Sequence, residues 1–205
     1  MNLTFDADSH SYHLDGKPVP HVTGIINRVC PGWQAADWYL QRGRALHEGA
    51  RLLDAGQLDW STVHPEIFNR LEAWQKFREQ WPAEVEASEI PLASERYRFA
   101  GTLDRVFRFN GNTARPAGEW VLCDLKSTIA PQVRIQLGFY ALLWNAAVRK
   151  GAALTRACAV ELRDDGTYRC LWLNKDELRR AEQVAMACLT VYNFMAEHKV
   201  TTNAQ

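Results

Sequence analysis

The stretch GTLDRVFRFNGNTARPAGEWVLCDLKST, residues 101–128, sets two aspartates, Asp104 and Asp124, and a lysine, Lys126, on segments otherwise apolar enough for a sheet interior. Side chains alternate along a strand, so Asp124 and Lys126 share one face of WVLCDLK (120–126) while Val121, Cys123 and Leu125 share the other. One face packs, and the other offers a carboxylate beside an ammonium. Buried charge is costly unless it is paired or bound to a metal. Taken alone, Asp124–Leu125–Lys126 reads as a salt bridge on a half-exposed strand. Asp104 changes that reading. Residues 110–118, NGNTARPAG, have the composition of a loop, so the strands on either side can pair antiparallel and bring the two acids together. Two adjacent carboxylates repel unless a divalent cation lies between them. Hard cations such as Mg²⁺ take oxygen ligands and keep waters that a phosphate can replace. A lysine beside them stabilises charge on a transferring phosphoryl group. Gly101, just before the first acid, fits a bend or a close backbone approach.

Outward from this stretch the pattern is mixed. Upstream, Asp15-Gly16 marks a tight turn in an N-terminal β-hairpin. A short helix is expected from Thr23 to about Pro31, a second from Ala35 to about Ala55, and a third from Pro65 to Trp81-Pro82. Residues 84–92 and 96–109 read as strands. Downstream, Pro131 opens a helix to about Lys150, residues 156–163 and 167–173 form a hairpin around Asp165-Gly166, and a last helix runs from Lys175 to Glu197. The fold class expected is α/β (α+β), a central mixed β-sheet flanked by helices. One domain over residues 1–205 is expected, with 1–32 as a hairpin extension, 33–173 as the core and 174–197 as a C-terminal helix.

Composition narrows the class. Hydrophobic residues make up 47% of the 205 residues, enough for a packed core. Lys plus Arg and Asp plus Glu are 24 each, so bulk electrostatics do not mark a nucleic-acid binder, although a basic groove beside an acidic site would cancel in the sum. No apolar run is long enough to span a bilayer, and the first residues lack a secretory pattern. The five cysteines are widely spaced, fitting a reduced, cytoplasmic setting rather than disulfides or a zinc site.

The motifs together resemble the PD-(D/E)XK nuclease superfamily, in particular its RecB-like and phage-type exonuclease branch. GTLD (101–104) followed by DLK (124–126) resembles the family's core. RGRALHEGA (42–50), with Gly43 and His47, resembles its G-x-x-x-H motif, and QLGFY (136–140) its Q-x-x-x-Y motif. Gln136 and Tyr140 project from one helix face. The resemblance spans roughly residues 40–145 and implies a restriction-endonuclease-like core and a Mg²⁺- or Mn²⁺-dependent DNA exonuclease of phage recombination or DNA repair. The polarity it favours is 5′ to 3′. It implies Asp104, Asp124 and the carbonyl of Leu125 as metal ligands and Lys126 as the catalytic lysine. His47 would be a ligand or phosphate contact, and Gln136 and Tyr140 would orient the lysine or touch DNA. An upstream acid is expected, Glu89 or Glu86, with Glu89 preferred. Ser127, Thr128, Arg42, Arg44 and Arg134 are expected at the DNA, and Arg98, Arg105 and Arg108 surround the site in sequence. Trp33, Trp38 and Tyr39 read first as core, with base stacking as the other reading. Cys30, Cys158, Cys170 and Cys188 do not have the spacing of the family's iron–sulfur cluster, so none is expected. Partners implied are DNA and a single-strand annealing protein or recombinase, with a homo-oligomer open and no membrane. The alternative is a DNA-binding or inhibitory module on the same scaffold without nuclease activity.

Overall fold

The computed structural model describes residues 2–6, 9–31, 37–111, 117–148 and 152–200. At the N-terminus, short alternating runs form a three-stranded antiparallel sheet of β1 (Leu3–Asp6), β2 (Ser11–Leu14) and β3 (Lys17–Val19). The turn at Asp15-Gly16 takes left-handed torsions, φ 52° and 75°, as a two-residue hairpin loop requires. Helix α1 (Val22–Val29) follows, capped by the His21 ring, which accepts from the Gly24 N–H. Two longer helices come next, α2 (Asp37–Asp54) and α3 (Pro65–Gln80), the latter with proline at its first position.

The main sheet contains β4 (Ala83–Ser94), β5 (Phe99–Phe109), β6 (Trp120–Lys126), β7 (Arg156–Leu162) and β8 (Tyr168–Leu173), in that spatial order. Only β6 and β7 run parallel, joined through α4 (Val133–Ala147). The chain then ends in α5 (Lys175–Glu197), which carries an Asn174–Glu177 capping box. The expected mixed sheet is present, and β4 is longer than its composition suggested. Pro91 within it is tolerated because β4 is an edge strand. The fourth helix starts at Val133 rather than Pro131, and Lys150 lies outside the described residues.

Strand alternation divides the core between the two faces of the sheet. Phe99, Leu103, Leu122, Ala157 and Ala159 pack against α1, α4 and α5. Phe107, Val121, Cys123, Leu125 and Val160 pack against α2 and α3. On the second face Trp74 stacks on Phe77 at 5.0 Å and on Phe107 at 6.1 Å, all three fully buried. Each such ring contributes about 1.5–3 kcal/mol by leaving water. Two glycines set close approaches. A Cβ on Gly138 would lie 2.3 Å from the Ala181 carbonyl oxygen, so α4 and α5 touch backbone to backbone. A Cβ on Gly101 would lie 2.8 Å from Val22 and 3.1 Å from Tyr140, so this glycine lets Tyr140 settle on β5.

Candidate functional site

The site forms where β5 leaves β6. Their ladder runs from Arg108 opposite Trp120 to Arg105 opposite Cys123, a register that continues to Asp104 opposite Asp124. At that point the Leu125 N–H donates to the Asp104 carboxylate at 2.8 Å, while β6 stays paired with β7 as far as Lys126 opposite Glu161. A side chain has taken the place of the neighbouring strand. On the other side of β5, Ser88 pairs with Arg105 and Ile90 with Leu103, which leaves Glu89 opposite Asp104. Glu89 has φ 49°, a left-handed torsion inside a strand. Such torsions cost on the order of 1–3 kcal/mol and gather at functional sites.

From α2, His47 reaches this point. Its Nδ1 lies 3.2 Å from Glu89 Oε1 and 3.6 Å from Asp104 Oδ1. One ligand atom each from His47, Glu89 and Asp104 fall within 4.8 Å of one another, a grouping suited to a cation. Asp124 adjoins it, fully buried, with Oδ2 2.6 Å from Lys126 Nζ. Lys126 takes up Oδ2, and beyond that charged contact neither Asp124 oxygen has a hydrogen-bond partner among the described residues. Buried carboxylate oxygens are rarely left so. The residues present fit a hard divalent ion: three acids, an imidazole, and two oxygens with capacity to spare.

The charges act on one another. Burial, with Asp104 close by, pushes the Asp124 carboxyl up to about 7 against the pull of Lys126. Burial works the same way on Asp104, but His47, Lys126, Arg105 and the Leu125 N–H outweigh it and hold this carboxyl below its ordinary value. His47 and Lys126 are raised: burial opposes their charged forms, and the surrounding carboxylates prevail. The Tyr140 hydroxyl is raised well above its ordinary value by burial and by Asp124 and Asp104.

Helix α4 brings Gln136 and Tyr140 to the same place, the Gln136 amide donating to the Tyr140 hydroxyl at 2.9 Å. A cavity of about 700 Å³ opens beside Lys126. Ser127, Thr128, Gln132 and Gln136 line one side, and Asn27, Tyr39, Arg42 and Arg70 are also on its wall. Ser127 and Thr128 thus lie where a phosphate could meet them. Arg44 is exposed on α2, and Arg134 lines a separate cavity with Glu177 and Arg180. Glu86 pairs with Arg108 at 2.7 Å, so the acid beside His47 is Glu89.

Several arginines close to the site in sequence do not line its cavity. Arg105 is fully buried toward α2 and α3, bonded to Asp54 at 2.8 Å. Arg98 turns toward the N-terminal sheet, donating to the Leu14 carbonyl, and Arg108 pairs with Glu84 and Glu86. Trp38 and Tyr39 are not core: they are 46% and 43% exposed. Trp33 lies outside the described residues. The sheet separates Cys158 and Cys170 from Cys30 and Cys188. Gly43 has open space around it, and packing gives no reason for glycine there.

Sequence reading missed three supporting residues. Asp54 anchors Arg105. Arg70, nearly buried, reaches the cavity while bonded to Asp164 at 2.6 Å and to the Leu162 carbonyl. Glu161 accepts the Ile129 N–H at 3.0 Å and pairs with Arg169 at 2.6 Å and Arg163 at 3.2 Å, tying the segment after Lys126 to β7. The sole local signal was Glu161, a charge inside a strand that is apolar after Arg156.

No family model and no curated protein matches the chain. Among solved structures it is similar to LHK-Exo, an alkaline exonuclease from Laribacter hongkongensis, at 13% identity over 87% of this chain and 89% of that one, with a TM-score of 0.43. It is similar at the same 13% identity to LHK-Exo in complex with dAMP, over 88% and 90% of the two chains, with a TM-score of 0.42. A likeness this loose carries no argument about chemistry, and the site stands on its own geometry.

Proposed function

We propose that the chain is a divalent-metal-dependent deoxyribonuclease that hydrolyses phosphodiester bonds, working from DNA ends. The observation that carries this reading is Asp124: a fully buried carboxylate with Lys126 as its partner and Oδ1 left without one among the described residues, next to the His47–Glu89–Asp104 group. Asp104, Asp124, Glu89 and His47 would hold Mg²⁺ or Mn²⁺, with the Leu125 carbonyl as a further oxygen. When bound, the ion supplies a Lewis acid for the phosphoryl oxygens and lowers the pKa of water. Lys126, kept protonated by its acidic neighbours, stabilises negative charge building on the phosphoryl group. Gln136 and Tyr140, bonded to each other, stand beside the site on α4, where they would orient Lys126 or touch DNA. Ser127 and Thr128 offer hydroxyls to a phosphate, and Arg42 offers a planar fork for its oxygens. A role in phage recombination or DNA repair, with an annealing partner, follows from the motif resemblance rather than from geometry.

The test is digestion of end-labelled linear, circular and single-stranded DNA with Mg²⁺ or Mn²⁺, with EDTA as control. Degradation of linear DNA that EDTA stops and Lys126→Ala abolishes is expected. Equal cutting by wild type and Lys126→Ala would overturn the site assignment. Calorimetry adds an independent reading: Mn²⁺ heat present in wild type and lost in Asp104→Ala.

A further inference from the structure

The first turn of α2 points large aromatic side chains into water. Trp38 is 46% and Tyr39 43% exposed, their rings 4.8 Å apart and edge-on at 81°. The Arg42 guanidinium lies over both, 4.5 Å from the Trp38 ring and 5.2 Å from the Tyr39 ring. An aromatic cluster that keeps nearly half of its area in water offers a contact surface. Its position gives it a ligand. Tyr39 and Arg42 line the cavity that reaches Lys126, Ser127 and Thr128. Arg42 also lines a neighbouring cavity of about 300 Å³ with Trp38, Asn69 and Asp164. The surface therefore runs from flat apolar rings, past a cation, to hydroxyls and a lysine.

A ligand complementary to that sequence of groups carries flat rings and anions in alternation on one flexible chain. A nucleic-acid strand with unpaired bases is such a ligand. In a duplex the base faces are already covered by neighbouring pairs, so a protein ring gains little there. We propose that Trp38, Tyr39 and Arg42 form a stacking platform for unpaired bases, and that the substrate class is a single strand or a single-stranded tail led past the platform toward Lys126. What happens at Lys126 rests on the nuclease reading; the binding does not.

The experiment is fluorescence anisotropy in EDTA, where no cutting occurs, with a dye-labelled oligothymidylate and a blunt duplex as separate probes. Wild type is expected to bind the oligothymidylate more tightly. Trp38→Ala should weaken that binding about ten-fold and leave duplex binding unchanged, while Trp38→Phe keeps most of the affinity. Circular dichroism checks that each variant is folded. Equal losses on both probes, or no loss on either, overturn the platform. So does sedimentation in which wild type self-associates and Trp38→Ala does not, since the rings then serve a protein interface. The two readings fail separately. If Lys126→Ala still degrades DNA while Trp38→Ala loses the single strand, the nuclease reading falls and the platform stands. If Lys126→Ala is inert and Trp38→Ala binds as wild type, the platform alone falls.

Discussion

Strand β5 carries two neighbouring residues, Asp104 and Arg105, that lead into two buried clusters of charge built in opposite ways. In the cluster toward α2 and α3, Arg105 spends every nitrogen: on Asp54 at 2.8 Å, on the His47 carbonyl at 3.2 Å and on Glu89 at 3.4 Å. Asp54 in turn takes the Trp74 indole N–H at 3.1 Å and lies 3.3 Å from Arg78. In the other cluster, Asp124 is as deeply buried, and beyond the Lys126 ammonium its oxygens have no partner among the described residues. In the first, Arg78 Nη1 has no hydrogen-bond partner among the described residues, but the Asp54 carboxylate is fully engaged within the protein and reads as architecture. The second has coordination to spare and reads as a place for something from outside. Burial of charge by itself does not distinguish the two; satisfaction does.

The contrast breaks first on activity. Lys126→Ala and Asp124→Ala are expected to lower DNA cleavage about 10³-fold or more while the fold persists, measured by nuclease assay beside circular dichroism. Asp54→Ala should act the other way, costing about 3–5 kcal/mol of stability in urea denaturation because buried Arg105 loses its nearest carboxylate and Arg78 loses the same partner. If Asp54→Ala keeps its stability, the architectural half of the comparison is wrong.

A third expectation concerns pH in the metal-free protein. The folded Asp124 carboxyl, at about 7 against an ordinary 3.8, binds its proton more tightly than in the unfolded chain, so stability falls as pH rises through about 7. His47 is raised above 6.5, and its contribution, full below that value, is lost as pH rises through the folded one. Both signs agree: melting should drop on the order of 5 °C from pH 6 to pH 8.5, and Asp124→Asn should flatten the slope. A melting temperature that climbs over that range would contradict the charge picture. The smallest effect separates two acids on one strand. Glu86→Gln, which loses a half-exposed ion pair with Arg108, should change stability by less than about 1 kcal/mol and leave cleavage intact. Glu89→Gln should weaken Mn²⁺ binding in calorimetry.

The sheet was legible because its signals are local. Loop composition between two apolar runs gave the β5–β6 pairing, and the alternation that grouped Asp124 with Lys126 matches their contact on β6. Helical spacing likewise put Gln136 against Tyr140. What failed was long-range. Arg105 surrounds the site in sequence as the neighbour of Asp104, yet alternation sets it on the apolar side with Phe107. Asp54 and Arg70 find their partners on distant elements, and no local pattern announces them. Trp38 and Tyr39 were assigned to the core by type; periodicity names a helix face without saying whether another element reaches that turn.

Glu89 has a consequence of a different kind. Among the described non-glycine residues with left-handed torsions, His10, Asp15 and Arg98 sit in turns and Lys199 follows a helix, whereas Glu89 interrupts a strand. The irregularity places a carboxylate within 3.2 Å of His47 at a spot where regular β-structure would be cheaper to build. Redesign that smooths β4 for rigidity would therefore disarm the protein while every side chain kept its identity. On the metal-site reading proposed above, thermal tolerance and ion capture pull this backbone in opposing directions.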